Sequence, residues 1–253
     1  EEYNEDLLAE LCNITLGRPY DLRDMTDLPQ LFESEVGSAA NQVVADVQMT
    51  LRTVRDVKLV SAMRAYPSLS DIDATADPLA LGNVEAGDHT VFILELDIPE
   101  RPPVRARIAQ VGITYLVPAQ GYRGEIPIQD LVIEFTDDEA LAAQVDPEVM
   151  GYVQQRNVDA LVRQATEQAK TNPEQARKTL QVARSMTQRL GNRSMTQALG
   201  QAEEELKTSG TLAVGTRKTI KLGARSATVK AAGPDQVLED LPSEEEIKRI
   251  TGG

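Results

Sequence analysis

Asp71, Asp73 and Thr75, in the stretch DIDAT, come closest by type and spacing to a reaction centre. An Asp-x-Asp-x-Thr order suits phosphoryl transfer, with the first carboxylate attacking phosphorus and the second serving as acid and base. That chemistry needs the motif at the end of a buried strand of a parallel sheet. Here YPSLS precedes it and ADP follows. Both are turn-forming, so a solvated loop between strands is expected. GNVEAG at 82–87 has the glycines of a phosphate loop but lacks the Lys-Ser/Thr that would grip the phosphate, and reads as a hairpin turn.

Residue counts narrow the chemistry further. The chain has one cysteine and one histidine. One thiol forms neither an internal disulfide nor a cysteine metal site. One imidazole leaves no paired-histidine zinc centre and weakens a Ser-His-Asp arrangement. Cys12 lies beside an apolar helical stripe and is expected as a buried inert thiol; His89 is expected as an exposed loop residue. No nucleophile–base pair emerges, so no enzyme activity is expected.

What remains is charge. The net charge is −14, which argues against nucleic acid as the main partner. Only 4% of residues are aromatic, with no tryptophan, so stacking platforms for bases are absent too. The charge is distributed in blocks. Residues 1–36 carry 10 acids against 2 bases, residues 151–232 carry 14 bases against 6 acids, and the last 21 residues are acidic again. Such blocks attract one another or a partner. Arg217, Lys218, Lys221 and Arg225 concentrate the positive charge, and their expected role is docking onto an acidic protein surface. Gly252 and Gly253 end the chain like a ubiquitin-type tail, yet they follow SEEEIKRI, which reads as a helix they would simply terminate.

Positioning these groups requires three kinds of element. Asn4 is a helix cap followed by Leu7, Leu8, Leu11 and Ile14 at helical spacing, with Gly17 as the left-handed stop. RPYDL is a short strand candidate. Asp27 then caps a second helix, with Gln30 closing its capping box and Leu28, Leu31, Phe32 and Val36 as its apolar stripe. From Val43 the period changes to two: Val43, Ala45, Val47, Met49 and Leu51 alternate with polar residues, which is a half-buried strand. VKLVSAM is a further strand, and LALGNVEAGDHTVFILELDI reads as a hairpin. VRARIAQVGITYLV changes phase, predicting a β-bulge near Gly112, and EIPIQDLVIEF changes phase between Ile128 and Leu131. Five to seven strands without intervening helices make a small antiparallel sandwich. Helices return after Asp138. Asp146 caps a helix with Pro147 at its first position and Val149, Val153, Leu161, Val162, Ala165 and Ala169 as its stripe. Asn172 caps the next, with Gln175 closing its box. SMTQRLG at 185–191 recurs as SMTQALG at 194–200, with a helix break expected at Gly191-Asn192. Three amphipathic helices with short turns are expected to pack as an antiparallel bundle.

YNEDLLAELCNITLGRPYDLRDMTDLPQLFESEV is similar to the last helix–strand–helix of von Willebrand factor type A (VWA) domains in bacterial proteins, whose wording there is close to N-E-[DE]-L-L, a Gly-Arg-Tyr-type strand and D-[LI]-P-x-[LI]-F. AYP, LGNVEAG, VFILELDIP, DPEV and GTRKTIKLGARS also resemble the regions that follow in those proteins. The resemblance implies the C-terminal part of such a protein. It also implies that the family's Mg²⁺ site, built on an Asp-x-Ser-x-Ser loop, belongs to upstream loops. That motif does not occur here, so no metal ligand and no cofactor is expected in this chain.

The expected fold class is therefore α+β. A helix–strand–helix VWA remnant spans 1–41, an antiparallel β-sandwich 42–137, a helical segment 138–208, and a basic segment with an acidic tail 209–253. The expected function is a non-enzymatic protein-interaction or scaffold module that positions the VWA domain or recruits partners. The alternative is a substrate or carrier in a ubiquitin-like conjugation system through Gly252-Gly253. Expected partners are proteins, including its own VWA domain or a second copy, not nucleic acid or membrane; the expected location is cytoplasmic.

Overall fold

The fold was obtained as a computed structural model and describes residues 4–20, 25–40, 42–87 and 89–231. It is mixed α+β, with antiparallel sheets and a C-terminal helical region. The described residues form two compact units, one within 22–64 and 71–144 and the other within 1–21, 65–70 and 145–253. No described helix is long and apolar enough to cross a membrane.

In the sheet unit, a 3-10 turn at Met25–Asp27 leads into α2 (Leu28–Ala40). Asp27 was expected to cap this helix, but it lies inside the turn. Phe32 and Val36 of the expected apolar stripe are exposed, Phe32 at 64%. The strands are β1 (Gln42–Thr53), β2 (Lys58–Tyr66), β3 (Ser70–Ile72), β4 (Leu79–Glu85), β5 (Val91–Asp97), β6 (Val104–Val117) and β7 (Tyr122–Phe135). They form a four-stranded sheet in the order β4-β1-β6-β7 and a three-stranded sheet in the order β3-β2-β5. β4 and β5 therefore do not form the expected hairpin. β4 pairs with β1, and the connection after it crosses to the other sheet. One apolar cluster draws on both sheets, with Val47, Met49, Leu79 and Leu81 from the first and Ala62 from the second.

Bulges set which side chains reach that cluster. Asp46 has a φ of 47°, and the β1–β6 register slips between Ala45 and Gln48. The extra residue turns Val44 toward the cluster and leaves Val43 exposed, although the sequence alternates without a break there. The Asp46 carboxylate braces the bulge, accepting from Arg123 Nη2 at 2.6 Å and Gln48 Nε2 at 2.9 Å. The Arg123 hydrogen bond, followed by that from Gln48, holds the Asp46 pKa below the ordinary aspartate value. The β6–β7 ladder slips twice. Arg107 pairs with Val132 and Ala109 with Leu131, so the extra residue there is Ile108 on β6. Val111 pairs with Gln129 and Ile113 with Ile126, so opposite Gly112 the extra residue is on β7. A bulge does sit at Gly112, but the phase change within β6 comes from Ile108. Gly124 faces Tyr115 across this ladder, and a Cβ there would lie 2.6 Å from the ring. After β7, Asp138 caps the short α3 (Glu139–Ala142).

The helical unit contains α1 (Glu5–Thr15), α4 (Pro147–Gln168), α5 (Pro173–Arg189), α6 (Arg193–Ser209) and α7 (Val214–Ser226). Asn4, Asp146, Asn172 and Asn192 cap α1, α4, α5 and α6 with side-chain acceptors. This satisfies backbone donors that a helix start leaves open. Leu161, Val162, Ala165, Leu180, Ala183, Met186, Leu199 and Ile220 belong to one buried cluster. Val149, in the first turn of α4, is exposed rather than part of its buried stripe. The SMTQ echo has a structural meaning. Met186 and Met195 both enter the core, and the Thr187 and Thr196 hydroxyls meet at 2.9 Å across the α5–α6 turn. No strand forms over 17–20, and the left-handed residue ending α1 is Leu16, with φ 55°, rather than Gly17.

Candidate functional site

The four cations read as a docking cluster lie on α7, and the sequence reading had not assigned that segment as a helix. Ile220 and Ala224 on one side enter the buried cluster of the helices, and Leu222, nearly opposite Ile220 on the helix, is buried as well. Arg217, Lys221 and Arg225 recur at every fourth residue, which aligns them along about 12 Å of one helix face.

That face carries α1. Arg217 Nε donates to Glu5 Oε1 at 3.2 Å. Lys221 Nζ lies 3.6 Å from the same oxygen and donates to Asp6 Oδ1 at 2.5 Å. Arg225 Nη2 donates to Asn13 Oδ1 at 2.9 Å. Partners ascend together along both chains, so α1 and α7 lie side by side and run in the same direction. The Glu5 side chain is 9% exposed and that of Lys221 13%, whereas Asp6 is 74% exposed. Lys218 is buried as well. The acidic block at the start of the chain thus meets the basic block near its end. Carboxylates in the first turn of α1 also suit the positive end of its own dipole.

The contact is polar on one side and unfilled on the other. Of the apolar stripe expected on α1, Leu7, Leu11 and Ile14 are 61%, 50% and 74% exposed, whereas Leu8 is half-buried. The sequence pattern predicts burial of that stripe, while Glu5 is the residue that is buried.

Residues 65–70 and 227–231 brace the same junction. Leu69 N donates to the Arg225 carbonyl at 2.7 Å, and Ser70 Oγ to the Cys12 carbonyl at 3.3 Å. Thr228 Oγ1 donates to the Pro67 carbonyl at 2.7 Å. The segment leaving α7 is held by the Gln155 amide, which donates to Val229 O at 2.7 Å and accepts from Val229 N at 2.6 Å. Asn192 joins in, since the residue whose oxygen caps α6 donates its amide to the Ala227 carbonyl. Gly151 of α4 admits the segment, as a Cβ there would meet the Ala231 Cβ at 2.7 Å.

The other sequence candidates fall elsewhere. Asp71 lies within β3 rather than in the expected loop and is exposed, and Asp73 follows the strand, ahead of a turn at Ala74-Thr75. Asp73 Oδ1 accepts from Thr75 Oγ1 at 2.6 Å and Thr75 N at 2.9 Å. These bonds close the loop and lower the Asp73 pKa, the hydroxyl contributing most. Gly82–Glu85 are strand, followed by a turn at Ala86-Gly87, and His89 is exposed. Cys12 is half-buried. Among the described residues no three His, Cys, Asp or Glu side chains gather as a metal cluster, and the sequence contains no Asp-x-Ser-x-Ser. Gly252 and Gly253 lie outside the described residues. Glu5, Asp6 and Asn13 were missed as docking groups. The acidic excess of residues 1–36 was the signal, but nothing local tied it to α7.

Residues 147–230 match the family model described as "Sll0103-like, C-terminal alpha-helical domain". No curated protein matches the chain. Among solved structures, the chain is similar to a von Willebrand factor type A protein from Catenulispora acidiphila, with a TM-score of 0.78 and 16% identity over 91% of this chain and 57% of that one. It also matches the ArnB paralog VWA2 from Sulfolobus acidocaldarius with a TM-score of 0.48 and 15% identity, covering 91% of this chain and 55% of that one. The chain thus spans little more than half the length of either solved relative. At 16% identity the likeness to the Catenulispora protein is one of fold, and this chain shares the architecture of a large part of a von Willebrand factor type A protein.

Proposed function

We propose that this chain is a non-enzymatic protein-interaction module of a VWA-type protein. In this reading the two sheets form a sandwich body, the C-terminal helices form a bundle, and the bundle acts as a scaffold that fixes the segment corresponding to the end of a VWA domain. The observation that carries it is the seating of α1 on Arg217, Lys221 and Arg225. The fold likeness to a VWA protein supports it. So does the loop role of Asp73, whose carboxylate is engaged by Thr75. Any Mg²⁺ chemistry would belong to other parts of such a protein.

Zero-length carbodiimide cross-linking of the full chain tests the scaffold role. It joins a lysine amine to a carboxylate with loss of water, and the expected product links Lys221 to Asp6 or Glu5. A folded protein that yields no such product contradicts the reading. A phosphatase activity abolished by Asp71→Asn would overturn its non-enzymatic part.

A further inference from the structure

We propose that the basic face of α7 is an exchangeable docking site, filled by α1 in cis and open in trans to an acidic helix of a separate polypeptide. The proposal rests on the reading of this chain as an interaction module and names the chemistry of its partner. That partner carries two carboxylates in its first turn and a polar acceptor about two turns later, because those are the groups α1 offers to Arg217, Lys221 and Arg225.

Three observations support exchange. Cations at every fourth residue form a row that reads spacing on a straight helix rather than one local contact. Leu7, Leu11 and Ile14 are exposed and Leu8, Ala9 and Cys12 only half-buried, so charge and hydrogen bonds carry a large share of the hold on α1. The outer member of the acid pair, Asp6, is 74% exposed although it contacts Lys221, which gives a competing carboxylate a point of entry. Replacement conserves the number of ion pairs, so a competitor of equal charge need not leave cations stranded in a partly buried site.

The experiment uses the full chain and a labelled, helix-stapled peptide copying residues 4–16, read by fluorescence anisotropy. The peptide is expected to bind weakly to the wild-type chain. It should bind about tenfold more tightly or better to a Glu5→Gln/Asp6→Asn chain, whose site is vacated more often. Binding should weaken as ionic strength rises. It should be lost when Arg217→Ala and Lys221→Ala are added, with the far-ultraviolet circular dichroism unchanged. A peptide carrying Glu5→Lys and Asp6→Lys should not bind.

Equal affinity for the wild-type and Glu5→Gln/Asp6→Asn chains, retention after loss of the two cations, or no binding to any form would each overturn the proposal. A wild-type dimer that becomes monomeric on Lys221→Ala would assign the face to a second copy's α1 instead. Failure here with an intact Lys221–Asp6 cross-link would remove the exchange and leave the scaffold reading standing.

Discussion

Two helix pairs of the same unit are held together by different physics. Between α5 and α6, Leu180, Met186 and Leu199 are wholly withdrawn from water, and the polar contact of Thr187 with Thr196 sits among them. Between α1 and α7, three cations grip two carboxylates and an amide while Leu7, Leu11 and Ile14 of α1 are exposed. Apolar burial is non-directional and is not weakened by ionic screening, and a fully buried pair is expected to separate with the unit it belongs to. Ion pairs are directional and screened. The α1–α7 pair is accordingly the one able to open while the rest of the unit stays folded.

The largest effect is expected where the apolar pair is cut. Leu199→Ala removes a fully buried side chain and should cost about 2–5 kcal/mol of global stability, measured by chemical denaturation. Lys221→Ala should act differently. It removes a cation that serves both Glu5 and Asp6, so amide hydrogen exchange over residues 5–15 should accelerate by the equivalent of about 1.5–3 kcal/mol. The denaturation midpoint of the α5–α6 core should hardly move. Added salt should accelerate the same amides and spare those of α5 and α6. A uniform response of all helices would erase the distinction between the pairs.

Smaller effects sharpen it. Thr196→Val removes the hydroxyl shared with Thr187 and should cost about 1 kcal/mol, read as a lower thermal midpoint with unchanged α1 exchange. The smallest concerns pH in the sheet unit. Arg123 and Gln48 lower the Asp46 pKa from its ordinary 3.8, so the stability it contributes is present above that value and disappears as pH falls through the lowered one. Asp46→Asn should therefore be less stable than wild type at neutral pH, and the two curves should converge below about pH 4. Parallel curves down to the acid limit would exclude Asp46 as the brace of the β1 bulge.

What could be read from the sequence was local. Asn4, Asp146, Asn172 and Asn192 announce helix starts because a cap acts on donors two or three residues away. The two slips of the β6–β7 ladder showed as changes of phase, the one at Ile108 in β6 and the one opposite Gly112 in β7. The bulge at Asp46 did not show, because Val43, Ala45 and Val47 keep alternating through it and only pairing with β4 and β6 reveals the extra residue. β4 and β5 looked like a hairpin since a glycine-containing turn joins them, yet partner choice in a sheet is decided by residues far away in sequence. The cations of α7 were legible as a cluster. Their helix was not, since Gly215 and Gly223 interrupt a segment with few apolar residues. Nor was their occupant, because the stripe of α1 advertises an apolar contact while the structure uses its acids.

A double-mutant cycle on Glu5 and Lys221, read from hydrogen exchange over residues 5–15, tests the central claim most directly. Seating of α1 by these charges predicts that Glu5→Gln and Lys221→Met each accelerate exchange and that the double variant exchanges far more slowly than the product of the two single effects. Fully additive effects, or single variants that leave exchange unchanged, would contradict it.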